Sequence, residues 1–592
     1  MSDATDTLVL LRAFVDELAR CGMHAACTSP GSRNAPLLIA FASDPHLTCF
    51  SHVDERAAGF FALGWAKTRG EPVAVTCTSG TAAAELLPAV VEAREARVPL
   101  LVLTADRPAE LRENGAGQAV DQLKLYGGAA KWFFEVELPP RADATALRWI
   151  RTLACRAYAT THEGRPGAVH LNFPLREPLV PQEVDELPLD ESGRRGRAPF
   201  VTRLRAERAA GWSRKRLHEL VEGARRPLIV AGREERGGLA AWAEEVERLG
   251  WPLLADPMSG ARRGPAAVAH YDALLRVPSF AQTMRPDLVL RAGDLPISKP
   301  LRTWLAGLAD VPQVALDPEG AWQDPDAVLS ASIEVDPAAA LGDLADEPPF
   351  VVEDGWLEGW READERASFA LEDILGGEAL SEPRVAAELA SLLEGEQLLF
   401  VASSMPIRDV ETVWPVIDAP ARVLCNRGAN GIDGTVSAAL GAAAAGSGNA
   451  QLDEQVVLLI GDVALAHDIG GLLAAGRLSL KLTIVLLNNE GGGIFDFLPV
   501  SRAKLSRREL ADGADLYTRH VATPTGLNFT KAAALYGFEH ERVASSTAFR
   551  AALQRALARP GSGIVEVPSD REANVGVHRR MWDAVAAALS AG

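Results

Sequence analysis

The chain is poor in cysteine and in basic charge and has no long apolar run, and each shortage removes a class of protein. Six cysteines are spread over 592 residues, with no C-x-x-C spacing among them. That scatter predicts reduced, mostly buried thiols rather than a catalytic set. Lys and Arg number 60 against 79 Asp and Glu, a net charge of −19. Such a surface argues against a broad nucleic-acid interface, because phosphate binding draws on accumulated Lys and Arg, and it suits a soluble protein that repels its neighbours. No stretch approaches the roughly 20 apolar residues that cross a bilayer, so no membrane insertion is expected. The opening residues, MSDATDTLVLLRAFVDELARCG, carry acids early and an Arg inside a short apolar run, unlike a signal peptide. A cytoplasmic location is the expectation.

What the chain does contain is a recurring pattern. A length of 592 residues exceeds one hydrophobic core and predicts three or four domains. Hydrophobic content of 48% and charged content of 23% are those of an ordinary globular protein. Short β-branched or Leu-rich runs recur at 73–77, 100–104, 168–172, 228–231, 287–290, 398–402, 456–460 and 482–487, each followed by a longer helical pattern. Non-alternating apolar runs of that length suit strands buried on both faces of a parallel sheet. Their alternation with helices predicts βαβ units, hence an α/β fold class. Two stretches rich in Pro and charge, 176–200 and 345–355, read as linkers. They divide the chain into expected domains 1–185, 195–350 and 360–592. No short-period repeat or sustained heptad is present, which argues against a solenoid or coiled coil.

The strongest local signal is VVLLIGDVALAHDIGGLLAAGRLSLKLTIVLLNNEGGGIF. One buried strand is expected to end at Gly461-Asp462 and a second at Asn488-Asn489, both at carboxyl ends, where open α/β sheets bind ligands. A carboxylate from Asp462, an amide oxygen from Asn489 and a backbone carbonyl suit a hard cation such as magnesium, which also takes diphosphate oxygens. Gly461 lets the backbone approach phosphates, and the next helix N-terminus offers N–H donors. Taken singly, Asp462 reads as a helix cap and Asn488-Asn489 as a turn. Together they match the thiamine-diphosphate motif, which opens Gly-Asp and closes Asn-Asn, although Val463 stands where that motif has Gly. That cofactor needs a buried carboxyl group against its aminopyrimidine. The segment SHVDERAAG, residues 51–59, offers Glu55 at a strand end that runs into a small-residue helix. A glutamate complementing a helix dipole is an equal reading on spacing alone. His467 and Asp468 read as helix-surface residues ahead of proton carriers.

These segments carry a wider resemblance. The chain resembles the 2-succinyl-5-enolpyruvyl-6-hydroxy-3-cyclohexene-1-carboxylate synthase family of menaquinone biosynthesis, over nearly its whole length. The resemblance rests on TSPGSRNAPL at 28–37, on 52–59, on CTSGTA at 77–82, on TADRP at 104–108, on 115–122, on 404–409, on NRGANGIDG at 426–434 and on 488–499. It implies three doubly wound parallel-sheet domains: a pyrimidine-binding domain, a central domain and a diphosphate-binding domain. It implies thiamine diphosphate with magnesium, or manganese in its place, the metal being held by Asp462, Asn489 and the carbonyl of Gly491. Gly461 would lie beside the diphosphate, Ile432 would prop the cofactor, and Ile494, Phe495 and Leu498 would wall it. Glu55 of one subunit would reach a cofactor held by another, in a homodimer or homotetramer.

The implied reaction is decarboxylation of 2-oxoglutarate and conjugate addition of the remaining four-carbon unit to isochorismate, a transferase of carboligase type. Both substrates are dicarboxylates, and bidentate Arg is the natural partner. By resemblance the substrate-side residues are Ser32, Arg33, Arg107, Gln118, Lys299, Ser404, Arg408 and Arg427. A lone Arg normally reads as a solvated surface charge. Arg33, however, follows a Pro-Gly turn, Arg107 a buried strand, and Arg427 lies in a Gly-rich loop. Two departures bear on substrate affinity: Gly117 stands where the family often has Asn, and Pro300 where a second basic residue often follows Lys299. An acetolactate synthase or simple decarboxylase is the nearest alternative. No adjacent His pair occurs, and an uncharged substrate would leave four Arg residues unexplained. A non-catalytic thiamine-domain module is the alternative of another class, and the presence of Glu55 and Asp462 argues against it.

Overall fold

The computed structural model describes residues 4–181, 190, 192–203, 210–234, 241–346, 351–377, 379–393, 395, 397–446 and 455–590. Three six-stranded parallel sheets carry the chain. The first contains β1 (Ala25–Thr28), β2 (Thr48–Ser51), β3 (Val73–Cys77), β4 (Leu100–Asp106), β5 (Trp132–Glu135) and β6 (Ala168–Pro174), in the order β2-β1-β3-β4-β6-β5. The second contains β7 (Pro227–Ala231), β8 (Leu253–Ala255), β9 (Ala267–Val268), β10 (Leu288–Ala292), β11 (Gln313–Leu316) and β12 (Ala331–Ile333), in the order β12-β11-β10-β7-β8-β9. The third contains β13 (Leu398–Val401), β14 (Arg422–Leu424), β15 (Val456–Gly461), β16 (Thr483–Asn488), β17 (Glu539–Arg542) and β18 (Gly563–Pro568), in the order β14-β13-β15-β16-β18-β17.

The α/β class with three parallel sheets is therefore the observed one. All eight apolar runs are strands, and β3, β4, β6 and β7 are buried at every position. Helices on both faces explain why these strands do not alternate. The strands without a strong apolar run are mostly edges or short pieces, such as β2 and β17, whose residues are largely exposed or half-buried. Of the two linkers, residues 182–189, 191 and 347–350 lie outside the described residues. No helix among the described residues is long and apolar enough to cross a membrane.

By contacts the chain forms two compact units. One contains Met1–Ala206, Asn426–Ala450 and Asp468–Leu480, and the other Glu207–Cys425, Gln451–His467 and Lys481–Gly592. In the first unit, Phe14, Phe41, Leu101, Leu103, Leu171 and Phe173 form a dry core against the sheet. Phe14 meets Phe173 edge-on, with centroids 5.8 Å apart. Each such side chain contributes about 1.5–3 kcal/mol by leaving water. The helix Glu55–Arg69 packs against the helix Thr435–Gly446 at backbone contact. A Cβ on Gly64 would fall 1.9 Å from the Ala438 carbonyl oxygen, and one on Gly441 would fall 2.0 Å from that of Phe61. Small residues on this face are what the approach demands.

Candidate functional site

In the first unit, β1 lies between β2 and β3, so the crevice of the sheet opens beyond the carboxyl ends of β1 and β3. The loops leaving β1, β3 and β4 carry Ser32 and Arg33, then Ser79, then Arg107. Arg33 is buried and donates from Nη1 to the Leu175 carbonyl and from Nη2 to Glu177, both at 2.9 Å. Its Nε has no hydrogen-bond partner among the described residues. Arg107 donates to Ser79 Oγ. Burial, and then the charge of Arg33, hold the Arg107 guanidinium below its usual range. Two guanidinium groups on neighbouring loops of one sheet end are suited to an anion.

Gln118 joins this group through Ser79. Ser79 Oγ donates to the Gln118 carbonyl at 3.0 Å, and Gln118 Nε2 donates back to the Ser79 carbonyl at 3.2 Å. Gln118 takes a φ of 60° and is exposed, as is Ser32. A buried polar chain beneath fixes these loops. Gly80 N–H donates to Gln122 at 3.0 Å, Gln122 to Asn172 at 2.9 Å, and Asn172 to Asp106 at 2.9 Å. Asp106 in turn accepts from the N–H of Arg107 at 2.7 Å.

Glu55 is the first residue of its helix, and Asp54 caps that helix by accepting from Ala57 N–H at 3.0 Å. Burial raises the Glu55 carboxyl above its ordinary range, and the charges of Asp54 and Glu85 add to the rise. A carboxyl inclined to keep its proton is the kind that can share one with a heterocyclic nitrogen. Arg427 and Ile432, both half-buried, lie on the loop leading into the helix Thr435–Gly446. That loop is anchored by buried Glu92, which accepts from the N–H of Gly428 at 2.9 Å and of Ala429 at 2.6 Å. Glu92 also pairs with buried Lys67 at 3.1 Å.

In the second unit, β13 lies between β14 and β15, and the sheet opens beyond β13 and β15. Gly461 pairs with Leu487 in register, so Asp462 and Asn489 leave adjacent strand ends. Asp462 is 1% exposed, and its Oδ2 has no hydrogen-bond partner among the described residues. Burial pushes its carboxyl up to about 6, opposed by the N–H groups of Val463 and Gly491. Asn489 Oδ1 is likewise buried and without a donor. Leaving one such acceptor unmatched costs about 1–3 kcal/mol. Two of them on neighbouring strand ends fit an oxygen-preferring cation, which needs acceptors and rejects donors. Gly491 turns with φ 141°, and a Cβ there would fall 2.6 Å from the Ala522 carbonyl oxygen.

Of the apolar residues expected beside this point, Ile494 is half-buried and Phe495 and Leu498 are exposed. Ile494 and Phe495 lie in the short helix Gly493–Phe497, with Leu498 next to it, and Phe495 and Leu498 are 36% and 46% exposed. Ser404 caps the helix Met405–Val413 with a φ of 79°, and Arg408 donates to its carbonyl. Lys299 stands exposed on the second sheet, at the first residue of the helix Lys299–Ala306. Pro300 is the next residue of that first turn, where Pro is well tolerated.

The structure thus links Arg33, Arg107 and Gln118 in one unit and Asp462, Asn489 and Gly491 in the other. One sequence reading is corrected. Asp468 is fully buried, accepting from Ser437 N–H at 2.7 Å and Oγ at 3.1 Å, and is a packing clamp rather than a helix-surface residue. His467 is exposed as expected. All six cysteines are free thiols, four of them buried. The sequence reading passed over Glu92, Gln122 and Asn172. It also passed over Glu382, a buried residue that accepts from Asn489 Nδ2 at 2.8 Å. Glu382 follows Ser381 at a helix start, a pattern that ordinarily marks only a cap.

Three family profiles match this chain. Residues 9–125 match the N-terminal TPP binding domain of thiamine pyrophosphate enzymes, and residues 412–567 match the C-terminal TPP binding domain. Residues 196–401 match the middle domain. A protein of Geobacillus kaustophilus named 2-succinyl-5-enolpyruvyl-6-hydroxy-3-cyclohexene-1-carboxylate synthase is 44% identical over 99% of both chains. One of the same name from Halobacterium salinarum is 42% identical over 97% of both. A crystal structure from Mycobacterium smegmatis, described as a candidate thiamin diphosphate-dependent enzyme, superposes with a TM-score of 0.67. It covers 95% of this chain and 99% of its own at 20% identity, a likeness of fold alone.

Proposed function

Because the chain belongs to the thiamine pyrophosphate enzymes, and among them to the 2-succinyl-5-enolpyruvyl-6-hydroxy-3-cyclohexene-1-carboxylate synthases, we propose that it performs their carboligation with magnesium or manganese as the metal and with the residues described above. Thiamine diphosphate, when bound, supplies the electron sink for loss of carbon dioxide from 2-oxoglutarate and the nucleophilic carbon that adds to isochorismate. The observation that carries the metal assignment is the pair of buried, donorless oxygens at Asp462 and Asn489. These two side chains, with the Gly491 carbonyl, would hold the cation, and the cation would hold the diphosphate beside Gly461.

Glu55, its carboxyl raised above the ordinary range by burial, would hydrogen-bond the pyrimidine ring. Ile432 would prop the cofactor. Ile494, Phe495 and Leu498 exclude water on one side, which strengthens every charge interaction in the site. Arg33 and Arg107 take one carboxylate between them, Gln118 and Ser32 orient it, and Ser404, Arg408, Arg427 and Lys299 serve the remaining anionic groups. The active unit is a homodimer or homotetramer in which Glu55 of one subunit serves the cofactor of another, and its place is the cytoplasm.

The direct test follows isochorismate consumption with 2-oxoglutarate, thiamine diphosphate and magnesium, leaving out one component at a time. Loss of isochorismate that requires all the others is the expected result. Loss of carbon dioxide from 2-oxoglutarate with isochorismate intact would refute the acceptor. In the same assay series, Asp462→Ala is expected to abolish magnesium-dependent cofactor binding by calorimetry, and an unchanged affinity would refute the metal assignment.

A further inference from the structure

A primary amide presents an acceptor at one end and donors at the other, and a cation is served by the acceptor alone. The Asn489 side chain therefore works as a ligand only if something fixes which end faces inward. Asn489 Nδ2 donates to Glu382 Oε1 at 2.8 Å, which leaves Oδ1 buried with no donor among the described residues. Ser569 Oγ donates to the same Glu382 oxygen, also at 2.8 Å. Glu382 is 1% exposed, at the first residue of the helix Glu382–Leu392, which Ser381 caps by accepting from Arg384 N–H at 3.3 Å. A glutamate at a helix start ordinarily complements the dipole from solvent. This one is turned inside, onto the amide.

We propose that Glu382 is a positioning residue for the cation site: its Oε1 accepts from the Asn489 amide and so locks that amide with Oδ1 toward the metal. The assignment rests on the cation site proposed above. Reversing the amide would set Asn489 Oδ1 against the Glu382 carboxylate and turn two N–H donors toward the cation. The carboxylate therefore selects one orientation on both counts. Partners of this kind behind a ligand typically govern metal affinity 10- to 100-fold.

The test uses the full-length chain with thiamine diphosphate, reading bound Mn2+ from the loss of the free-ion signal in electron paramagnetic resonance. Glu382→Leu is expected to weaken Mn2+ binding by about 10- to 100-fold. Asn489→Asp supplies the better cation ligand yet is expected to lose about tenfold or more, because it sets two carboxylates face to face. The double variant Glu382→Gln with Asn489→Asp restores a donor–acceptor pair and is expected to return to within about threefold of the parent chain. A purely structural Glu382 predicts instead that the losses add. If Glu382→Leu does not fold, the two Asn489→Asp chains carry the test. Asn489→Asp binding Mn2+ like the parent, or a double variant no tighter than Asn489→Asp alone, would overturn the role. A parent chain that takes up no Mn2+, with Asp462→Ala indistinguishable from it, would overturn the cation site itself.

Discussion

Glu92→Gln is the substitution whose effect the structure defines most sharply. Glu92 is 3% exposed and faces Lys67, itself 1% exposed, at 3.1 Å. Its two oxygens also accept the N–H groups of Gly428 and Ala429. Glutamine keeps the shape but offers one acceptor where the carboxylate offered two, and it leaves the Lys67 ammonium buried beside a neutral group. Removing one partner of a buried pair costs about 3–5 kcal/mol, far more than the pair contributes relative to two apolar residues. Hydrogen bonds to a charged group add about 1.5–3 kcal/mol each, although these terms overlap within one network. A loss of about 3–5 kcal/mol in local stability amounts to roughly two to four orders of magnitude in the opening equilibrium. Amide hydrogen exchange of the peptide spanning Gly428 and Ala429 reads that opening directly. The double variant Lys67→Met with Glu92→Gln removes the buried ammonium as well and is expected to recover most of the protection. Exchange in Glu92→Gln within about tenfold of the parent, or a double variant no better protected than the single, would refute the reasoning. Because this loop carries Arg427 and Ile432, turnover should fall along with protection.

Three further predictions follow from other parts of the molecule. Glu55→Gln should keep the far-ultraviolet circular dichroism of the parent while losing about 10²–10⁴-fold in turnover, and unchanged turnover would remove Glu55 from the chemistry. His170 is 1% exposed, pairs with Thr104 Oγ1 at 2.7 Å, and is held by burial to about 3 against an ordinary 6.5. The unfolded chain therefore takes the proton more readily, so this contribution is complete above pH 6.5 and falls away as pH drops toward 3, by up to about 5 kcal/mol. His170→Gln should flatten the acid side of a stability–pH curve followed by urea unfolding, and an unaltered acid limb would contradict the assignment. Gly441→Ala places a methyl group 2.0 Å from the Phe61 carbonyl oxygen, and should cost about 1–3 kcal/mol through overpacking. Gly470→Ala, where an added Cβ meets nothing within 4 Å, is the control for thermal melting.

The sequence by itself determined the α/β class, the eight apolar strands and the carboxyl ends at which two of them stop. A doubly covered parallel strand must be apolar along its whole length, so β3, β4, β15 and β16 announce themselves, and the polar residue that stops each one lies at the carboxyl end by necessity. The edge strand β17 was hidden for the converse reason, since a solvent-facing strand has no obligation to be apolar. Asp462 and Asn489 were legible as candidates because a helix cap and a turn falling at two strand ends is an unusual coincidence. Tertiary structure alone decided that both oxygens are buried and donorless, because that depends on which neighbours fold over them. It also decided which charges act in pairs. Glu92 and Lys67 look like ordinary helix-surface residues in sequence, and Glu382 looks like a helix cap. They become a loop anchor and an amide lock only because buried polar groups must find partners, and the partners lie far along the chain, at Gly428 and Ala429 or at Asn489. The contact between Gly64 and Ala438 is of the same kind. Glycine in a helix reads as a weakness until the fold brings a second backbone against it.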